Sequence, residues 1–316
     1  MILCVNPNAA IDKTVVVESF RLNEGHRPEQ VIARAGGKGC NCARGLRRLG
    51  ETPVVTGWVG GFAGQFIEAG LHGEGIQTDF VHTALESRTC LAIVDRQSNT
   101  VTEINEKGDA IPADKVEELK AWFGANVARY AAVTLSGSLP PGVPAVFYAQ
   151  LIDLAHAAGV LILLDTSGEA LKRGLAARPF LAKPNRKEFA ELIGREPATR
   201  DEFVQAAAEV AVRYGTWITL SLGADGAVAT DGKEVLHAWP PQVVIKSAVG
   251  SGDCMLAGIT YGLTHSLSFE QALVYGVAAG TANALSLGAG SFTLGEFDDV
   301  RARVTLERAQ HVSASG

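Results

Sequence analysis

The chain has 316 residues, of which 47% are hydrophobic and 20% are charged. This composition excludes a wholly disordered chain, and the length suits one large α/β domain. The formal net charge of −6 argues against general nucleic-acid binding, because that requires a basic surface. No apolar run reaches the roughly 18 residues that a membrane span needs, so we expect no membrane partner.

The cysteines and the N-terminus indicate the compartment. Five cysteines are scattered along the chain without a C-x-x-C pair or a histidine cluster: Cys4, Cys40, Cys42, Cys90 and Cys254. This pattern favours small buried thiols in a reducing environment over a zinc site. The N-terminal stretch MILCVNPNAAIDKT lacks the basic and long apolar regions of a signal peptide. We therefore expect a cytoplasmic protein.

Short apolar runs rich in β-branched residues alternate along the chain with segments of helical spacing. The runs predict strands at 2–5, 54–59, 132–135, 160–165 and 217–220. The segments between them predict helices at 40–49, 64–73, 113–123, 146–158 and 202–214. Strand followed by helix, repeated, is typical of a parallel sheet covered on both faces. Ligands of such sheets bind at the carboxyl ends of the strands.

Two stretches depart from this alternation. Residues 14–34 and 88–104 each contain two partly alternating runs around a polar turn, at 23–25 and 97–99 respectively. Such runs predict hairpins. We expect them to form a small antiparallel sheet outside the main one, in the position of a lid.

The first glycine-rich segment, 35–43 (AGGKGCNCA), lies between a predicted strand and a predicted helix. Glycines let backbone N–H groups approach an anion at a helix start, and Lys38 and Asn41 add further donors. The pattern is neither a Walker A loop nor G-x-G-x-x-G. A simple glycine turn before a helix explains the segment equally well.

The second glycine-rich segment, 247–255 (SAVGSGDCM), precedes an apolar stretch of helical spacing. The N–H groups of Gly250, Ser251 and Gly252 would form an anion hole for charge that develops on a transferring phosphoryl group. Asp253 is placed to accept a proton from a substrate hydroxyl. The alternative is that Asp253 only caps the helix. The glycines directly before it favour the catalytic role.

Two further segments have ordinary structural explanations. The segment 221–228 (SLGADGAV) predicts a strand, a turn and a second strand. In 183–188 (KPNRKE), Asn185 and Glu188 have the spacing of a capping box at a helix start. The same two side chains could instead hold magnesium near nucleotide phosphates, directly or through water.

Three isolated polar residues, Asp12, Arg88 and Ser138, lie near predicted strand ends or hairpins. An arginine suits a phosphate because it is a bidentate donor. By position alone, each of the three is more often a surface group than a ligand.

Taken in order, these segments resemble the PfkB (ribokinase-like) family of sugar kinases over nearly the whole chain. AGGKGCNCARGLRRLG resembles the first family signature and VGSGDCMLAGI the second, and SGSLPPG at 136–142, KPNRKE and SLGADGAV lie at intervening family positions. The opening NPNAAID resembles the hexose-phosphate branch, although the usual motif is shorter. The resemblance implies a ribokinase-like three-layer α/β/α core with a mainly parallel sheet and a small β-sheet lid. It further implies a single domain over 1–316, lid strands within 13–35 and 87–105, and a homodimer formed through the lids.

The resemblance also implies a role for each motif residue. Asp253 would be the base that activates the acceptor hydroxyl, beside an anion hole formed by Gly250, Ser251 and Gly252. The sugar phosphate would be bound by Asp12, Gly37, Lys38, Asn41, Arg88 and Ser138. ATP would be bound by Lys183, Asn185, Ser221, Gly223, Val249, Val277 and Thr281. Glu188 would position Mg²⁺ through water.

The activity that the resemblance implies is ATP-dependent phosphorylation of a ketohexose phosphate to a bisphosphate, with fructose-1-phosphate as the expected acceptor. Tagatose-6-phosphate is the first alternative, because GGFAGQF at 60–66 and TEINEKG at 102–108 resemble that kinase. Fructose-6-phosphate and an unphosphorylated sugar or nucleoside are others. A binding protein that has lost catalysis is a further alternative, which the intact 250–253 motif disfavours. Two departures from the family pattern stand out: Cys254 replaces the usual serine, and Ser247 replaces an acid linked to a monovalent-cation site.

Overall fold

The computed structural model describes residues 1–309, which form two β-sheets and ten α-helices. The strands are β1 (Ile2–Asn6), β2 (Ala10–Val17), β3 (Gln30–Gly36), β4 (Pro53–Gly60), β5 (Gln77–Thr78), β6 (Val81–Thr83), β7 (Arg88–Asp95), β8 (Thr100–Asn105), β9 (Ala132–Ser136), β10 (Leu161–Asp165), β11 (Leu181–Ala182), β12 (Trp217–Ser221), β13 (Ala227–Thr230), β14 (Val235–Trp239) and β15 (Thr305–Ala309). The helices are α1 (Lys38–Arg48), α2 (Gly61–Gly73), α3 (Ala113–Asn126), α4 (Phe147–Ala157), α5 (Gly168–Ala176), α6 (Arg186–Ile193), α7 (Arg200–Tyr214), α8 (Ser251–Thr264), α9 (Phe269–Ala284) and α10 (Leu294–Arg301).

The large sheet is mainly parallel, as the sequence predicts. Its strand order is β15-β14-β13-β12-β11-β10-β9-β1-β4-β5, and β6 pairs with the end of β4. The pairs from β5 to β12 are parallel, whereas β13, β14 and β15 join in antiparallel fashion. The carboxyl ends of the central strands therefore lie along one edge of the sheet.

Helices cover both faces of this sheet and complete three layers. Leu3 and Val5 belong to a core shared with α3, α4, α5, α6 and α7, whereas Ile2 and Cys4 belong to one shared with α1, α2, α8 and α9. This division follows from the strand period, because successive side chains point to opposite faces. A strand covered on both faces must be apolar throughout, which explains the unbroken run ILCV. No helix within residues 1–309 combines the length and apolarity of a membrane span.

The smaller sheet contains the two predicted hairpins, in the order β3-β2-β7-β8. Each hairpin is antiparallel, as expected, but β2 and β7, which join the two hairpins, are parallel neighbours. The expectation of a wholly antiparallel sheet was therefore wrong. β2 begins three residues before the predicted limit of 13, and β3 ends one residue after the limit of 35. The strands extend further because Ala10 still pairs with Gly36 on β3 and with Arg88 on β7. We refer to this four-stranded sheet as the lid.

Candidate active site

A cavity of about 170 Å³ lies between the lid and the carboxyl edge of the main sheet. Its walls are formed by Asn6, Asn8, Lys38, Arg88, Gly137, Ser138, Thr166, Ser167 and Glu188. Lys38, Arg88, Ser138 and Glu188 were all predicted site residues, although they come from distant parts of the chain. Loops that follow parallel strands meet at this edge, as expected of an open α/β sheet.

Two lysines share one buried carboxylate beside this cavity. The Nζ atom of Lys38 lies 2.9 Å from Oδ1 of Asp165, and Nζ of Lys183 lies 2.9 Å from Oδ2. Lys38 also contacts Oε1 of Glu188 at 3.0 Å. Burial opposes the charge of Asp165, but Lys183 and Lys38 outweigh it and lower the pKa of the carboxyl. The carboxylates of Asp165, Glu188 and Asp253 raise the pKa of Lys38 despite its burial.

Asp253 is the third residue of α8 and is 7% exposed. It does not cap the helix, because the N-cap is Gly250; instead Nδ2 of Asn41 donates to Oδ2 of Asp253 at 2.9 Å. Burial, followed by the nearby charge of Asp165, raises the pKa of Asp253 to about 6, against the opposing effects of Lys38, Asn41 and Lys183. A carboxylate with this pKa is ionised at neutral pH and can accept a proton.

The start of α8 depends on glycine. Gly250 has φ +79°, and a Cβ atom there would lie 2.3 Å from Cβ of Ala289. At Gly252 a Cβ atom would lie 3.3 Å from Nζ of Lys183, so the backbone closely approaches a cation. The N–H group of Ser251 donates to the carbonyl oxygen of Ala248 at 3.1 Å. This differs from the expectation that its N–H points freely ahead of the helix.

The first glycine-rich segment is packed around Asn6 and Asp12. A Cβ atom at Gly36 would lie 2.1 Å from Cγ of Asp12, and Gly37 has φ +101°. Asn6 donates from Nδ2 to the carbonyl oxygen of Gly36 and accepts from the N–H of Gly39, both at 3.2 Å. Burial raises the pKa of Asp12, against the hydrogen bond from Gly37 and two arginines. The segment therefore presents Asp12 and the start of α1 side by side.

Arg88 joins the lid to the core. Its Nε atom donates to the carbonyl oxygen of Asn8 at 3.2 Å, and NH1 donates to that of Glu106 at 2.8 Å. Asn8 in turn donates from Nδ2 to Oγ of Ser138 at 3.2 Å. These bonds connect two predicted sugar-phosphate ligands, Arg88 and Ser138, to the same loop residue, Asn8.

The residues assigned to ATP differ in how well the structure agrees with their predicted role. Asn185 and Glu188 form the complete capping box of α6, so this structural interpretation is confirmed. Ser221 ends β12, and Gly223 follows with φ +65°. Val249 is 48% exposed, whereas Val277 is 1% exposed within the core. Thr281 donates to the carbonyl oxygen of Val277 at 2.7 Å. The burial of Val277 means that its side chain is not exposed for contact with ATP, so its assignment to the nucleotide stays a prediction.

Five residues of the cavity wall were not predicted as site residues: Asn6, Asn8, Gly137, Thr166 and Ser167. Asp165, Arg44 and Asn283 were also not predicted. Asp165 had a detectable signal, since an acid ends an otherwise apolar buried strand. Asn283 is fully buried, and its Nδ2 donates to the carbonyl oxygen of Val249 at 2.9 Å and to Oγ of Ser251 at 3.1 Å. Arg44 and Asn283 lie inside helices, where the local pattern gives no sign of such distant contacts.

Comparison with protein families matches residues 4–294 to the model described as pfkB family carbohydrate kinase. The chain belongs to this family and is a phosphotransferase with an alcohol group as acceptor.

Solved structures of this family are similar over nearly their full length. Phosphofructokinase-2 from Escherichia coli in complex with fructose-6-phosphate is 28% identical with a TM-score of 0.87, over 95% of this chain and 98% of that one. A possible 1-phosphofructokinase from Thermotoga maritima is 26% identical with a TM-score of 0.89, over 98% and 100%. A putative phosphofructokinase from Staphylococcus aureus is 28% identical with a TM-score of 0.82, over 98% and 99%. The similarity thus extends through both the core and the lid.

Proposed function

We propose that the chain is a 1-phosphofructokinase, which transfers the γ-phosphoryl group of ATP to fructose-1-phosphate and forms fructose-1,6-bisphosphate and ADP. The observation that carries the proposal is the cavity in which Arg88 and Lys38 face the same space. Lys38 is already balanced by Asp165 and Glu188, but Arg88 forms no ion pair with any other residue of the range 1–309. An acceptor that already bears a phosphate would supply the counter-charge that Arg88 lacks, whereas an unphosphorylated sugar would not.

The reaction follows from the neighbouring groups. Asp253 would take the proton of the acceptor hydroxyl as its oxygen forms a bond to the γ-phosphorus, and the bond from that phosphorus to the β,γ-bridging oxygen would break. ADP leaves with the bridging oxygen. Lys183 and the backbone around Gly250 and Gly252 would stabilise the charge on the transferred group. Positioning supplies much of the rate in such transfers, so the lid contact made by Arg88 supports this assignment.

Glu188 is the residue that we assign to Mg²⁺, through water. Among residues 1–309 no cluster of three or more acidic, histidine or cysteine side chains could hold a metal. That fits magnesium, which usually binds through one or two carboxylates, substrate phosphates and water. The carboxylate of Glu188 faces the cavity, although its oxygens also contact Lys38 and the N–H of Asn185. The ion would offset the charge of the ATP phosphates.

Two other acceptors have specific support. The E. coli neighbour was solved with fructose-6-phosphate, which favours 6-phosphofructokinase activity. The segment 102–108 supports tagatose-6-phosphate because it resembles that kinase, and its backbone carbonyls at Glu106 and Lys107 accept hydrogen bonds from Arg88 and Asn8 at the edge of the cavity. Both alternatives are phosphorylated ketohexoses, so they share the same basic subsite.

The test is ADP release with Mg-ATP and a panel of fructose-1-phosphate, tagatose-6-phosphate, fructose-6-phosphate and free fructose. We expect the highest kcat/KM with fructose-1-phosphate. Asp253→Asn should lower kcat by about 10²–10⁴-fold, as expected for loss of a general base, with ATP affinity within about threefold. A clear preference for another ketohexose phosphate would replace the proposed acceptor. Lack of stimulation by every acceptor would contradict the proposed activity.

We also propose a homodimer that forms through the lids. The strand register puts Val15, Val31, Leu91, Ile93 and Ile104 on one face of the lid. This is the face opposite to Asp12 and Arg34, and Val31 and Ile104 are 49% and 56% exposed. An exposed apolar sheet face is typical of a protein interface. Light scattering should give twice the chain mass for the wild type and the chain mass for Ile93→Glu, whereas a monomeric wild type would contradict the proposal.

A further inference from the structure

Arg44 is a buried cation that the proposed reaction does not use. It lies on α1 and is 5% exposed. Its guanidinium donates to Oδ1 of Asn41 at 3.0 Å, to the carboxylate of Glu74 and to the carbonyl oxygen of Ala35. Burying a guanidinium is costly unless its N–H groups find acceptors and its charge is balanced. Glu74 supplies the opposite charge, which leaves the contact with Asn41 to be explained.

The contact between Arg44 and Asn41 decides which way the Asn41 amide points. A guanidinium has only donors, so the amide oxygen must face Arg44. The NH₂ group must then face Asp253, where Nδ2 lies 2.9 Å from Oδ2. The reversed amide would place donor against donor at Arg44 and acceptor against carboxylate at Asp253. Arg44 therefore selects the orientation in which Asn41 donates.

The hydrogen bond from Asn41 acts on both the charge and the position of Asp253. A donor to a carboxylate favours its ionised form, and it also restricts the side chain to one rotamer. The other titratable groups that face Asp253 are Lys38 on α1, Asp165 at the end of β10, Lys183 after β11, and the thiols of Cys42 and Cys254. Lys38, Asp165 and Lys183 act on Asp253 through their charge, and the two thiols stay protonated because the pKa of each is raised. Asn41 instead holds one oxygen of Asp253 in place.

Arg44 also packs against Gly290, in the loop after α9 whose residue Ala289 lies against Gly250 at the start of α8. A Cβ atom at Gly290 would lie 2.4 Å from Cβ of Arg44, so this glycine packs directly on the arginine stem. The N–H group of Gly290 donates to Oδ1 of Asn283 at 2.7 Å. That bond turns the NH₂ group of Asn283 toward Val249 and Ser251, to which it donates. Arg44 thus contacts Asn41 directly and Asn283 through Gly290. Asn41 donates to Asp253, and Asn283 donates to Val249 and Ser251, so both asparagines hold part of the 247–255 segment.

We propose that Arg44 is a positioning residue for phosphoryl transfer: it fixes the Asn41 amide so that Asn41 holds Asp253, and its stem supports Gly290 behind the start of α8. The inference rests on the proposed role of Asp253 as the base.

Arg44→Met tests the proposal, because it keeps most of the stem and removes the donors. We expect kcat to fall by about 10–100-fold, in line with the cost of misplacing a reacting group, with the KM for ATP within about twofold. The acidic limb of the kcat/KM profile should move to higher pH, because Asp253 loses a donor to its ionised form.

Arg44→Lys should restore part of kcat, since an ammonium group can still donate to Asn41. Glu74→Gln is the matched control: it removes the counter-charge only, and it should keep the wild-type kcat and pH profile.

A double-mutant cycle separates positioning from general destabilisation. If Arg44 acts through Asn41, Arg44→Met should change kcat by less than about twofold in an Asn41→Ala background. Full additivity, or a wild-type kcat and pH limb in Arg44→Met, would overturn the proposal. Should circular dichroism find Arg44→Met unfolded, Arg44→Lys in the same cycle decides the question. Wild-type rates in Asp253→Asn would instead contradict the role of Asp253 as the base. That result would count against the proposed reaction itself, whereas the outcomes above count only against the role of Arg44.

Discussion

The carboxylate of Asp165 and the ammonium group of Lys183 lie 2.9 Å apart, and their side chains are only 0% and 3% exposed. Removing one member of a buried ion pair leaves the other charge uncompensated in a medium that solvates it poorly. We therefore expect Asp165→Asn to lower the free energy of unfolding by about 3–5 kcal/mol, measured by urea denaturation. Glu117→Gln is the control, because its pair with Lys120 is on the surface and should contribute less than about 1 kcal/mol. Equal effects of the two substitutions would contradict this interpretation.

The raised pKa of Asp253 predicts how the rate of the reaction depends on pH. A base must be deprotonated, and the pKa of Asp253 is raised to about 6. As the pH falls through this value the carboxyl takes up a proton, so kcat/KM should fall toward a tenfold loss per pH unit, with little change at higher pH. Initial rates from pH 5 to pH 8 measure this limb. A profile that is flat down to pH 5 would argue that no carboxyl with a raised pKa acts as the base.

Arg88 should determine affinity for the acceptor phosphate. Arg88→Ala should raise the KM for the sugar phosphate by more than about tenfold, because a charge-assisted contact contributes about 1.5–3 kcal/mol, while the KM for ATP stays nearly unchanged. Arg96→Ala is the matched control on the same hairpin, since Arg96 pairs with Glu29 and is 57% exposed. Steady-state kinetics with each substrate varied in turn make the measurement. An equal rise in both KM values would point to general damage of the lid.

Gly250 should tolerate no side chain. Gly250→Ala would force an L-residue into φ +79° and place its Cβ atom against Ala289. We expect a loss of at least 1–2 kcal/mol in stability, roughly the cost of the left-handed conformation alone, together with a fall in kcat. Gly295→Ala is the control, since a Cβ atom there meets open space on helix α10. Thermal unfolding and kcat of both variants should separate them, and similar values for the two would contradict the role of backbone conformation.

Much of the fold could be predicted from the sequence because burial on both sheet faces leaves a strong signal. The runs that became β1, β4, β9, β10 and β12 are apolar and bounded by helical segments, and their ends were predicted to within one residue. β14 and β15 were missed. Both lie toward the antiparallel edge of the sheet, where part of β14 and most of β15 is solvent-accessible and no strict alternation develops.

The candidate site could be predicted only where chemistry coincides with a local motif. Glycines at two helix starts identified Lys38, Asn41 and Asp253, and the structure brings these residues together. Arg44 and Asn283 could not be found in this way. Their partners are set by how helices pack, and Asn283 reaches back 34 residues to Val249. The glycine spacing fixes a backbone shape, but it does not specify which distant side chain will hold it.

The lysines and acids around Asp165 have a further consequence for proton uptake by Asp253. Two ammonium groups, from Lys38 and Lys183, face three carboxyl groups, from Asp165, Glu188 and Asp253. The resting cluster thus carries one excess negative charge, and Asp165, Lys183 and Asp253 lie in its buried part. When Asp253 accepts a proton the cluster becomes electroneutral, so this step relieves local repulsion. In the proposed reaction Asp253 must lose this proton before the next turnover, and we expect that loss to accompany product release, when solvent regains access to the site.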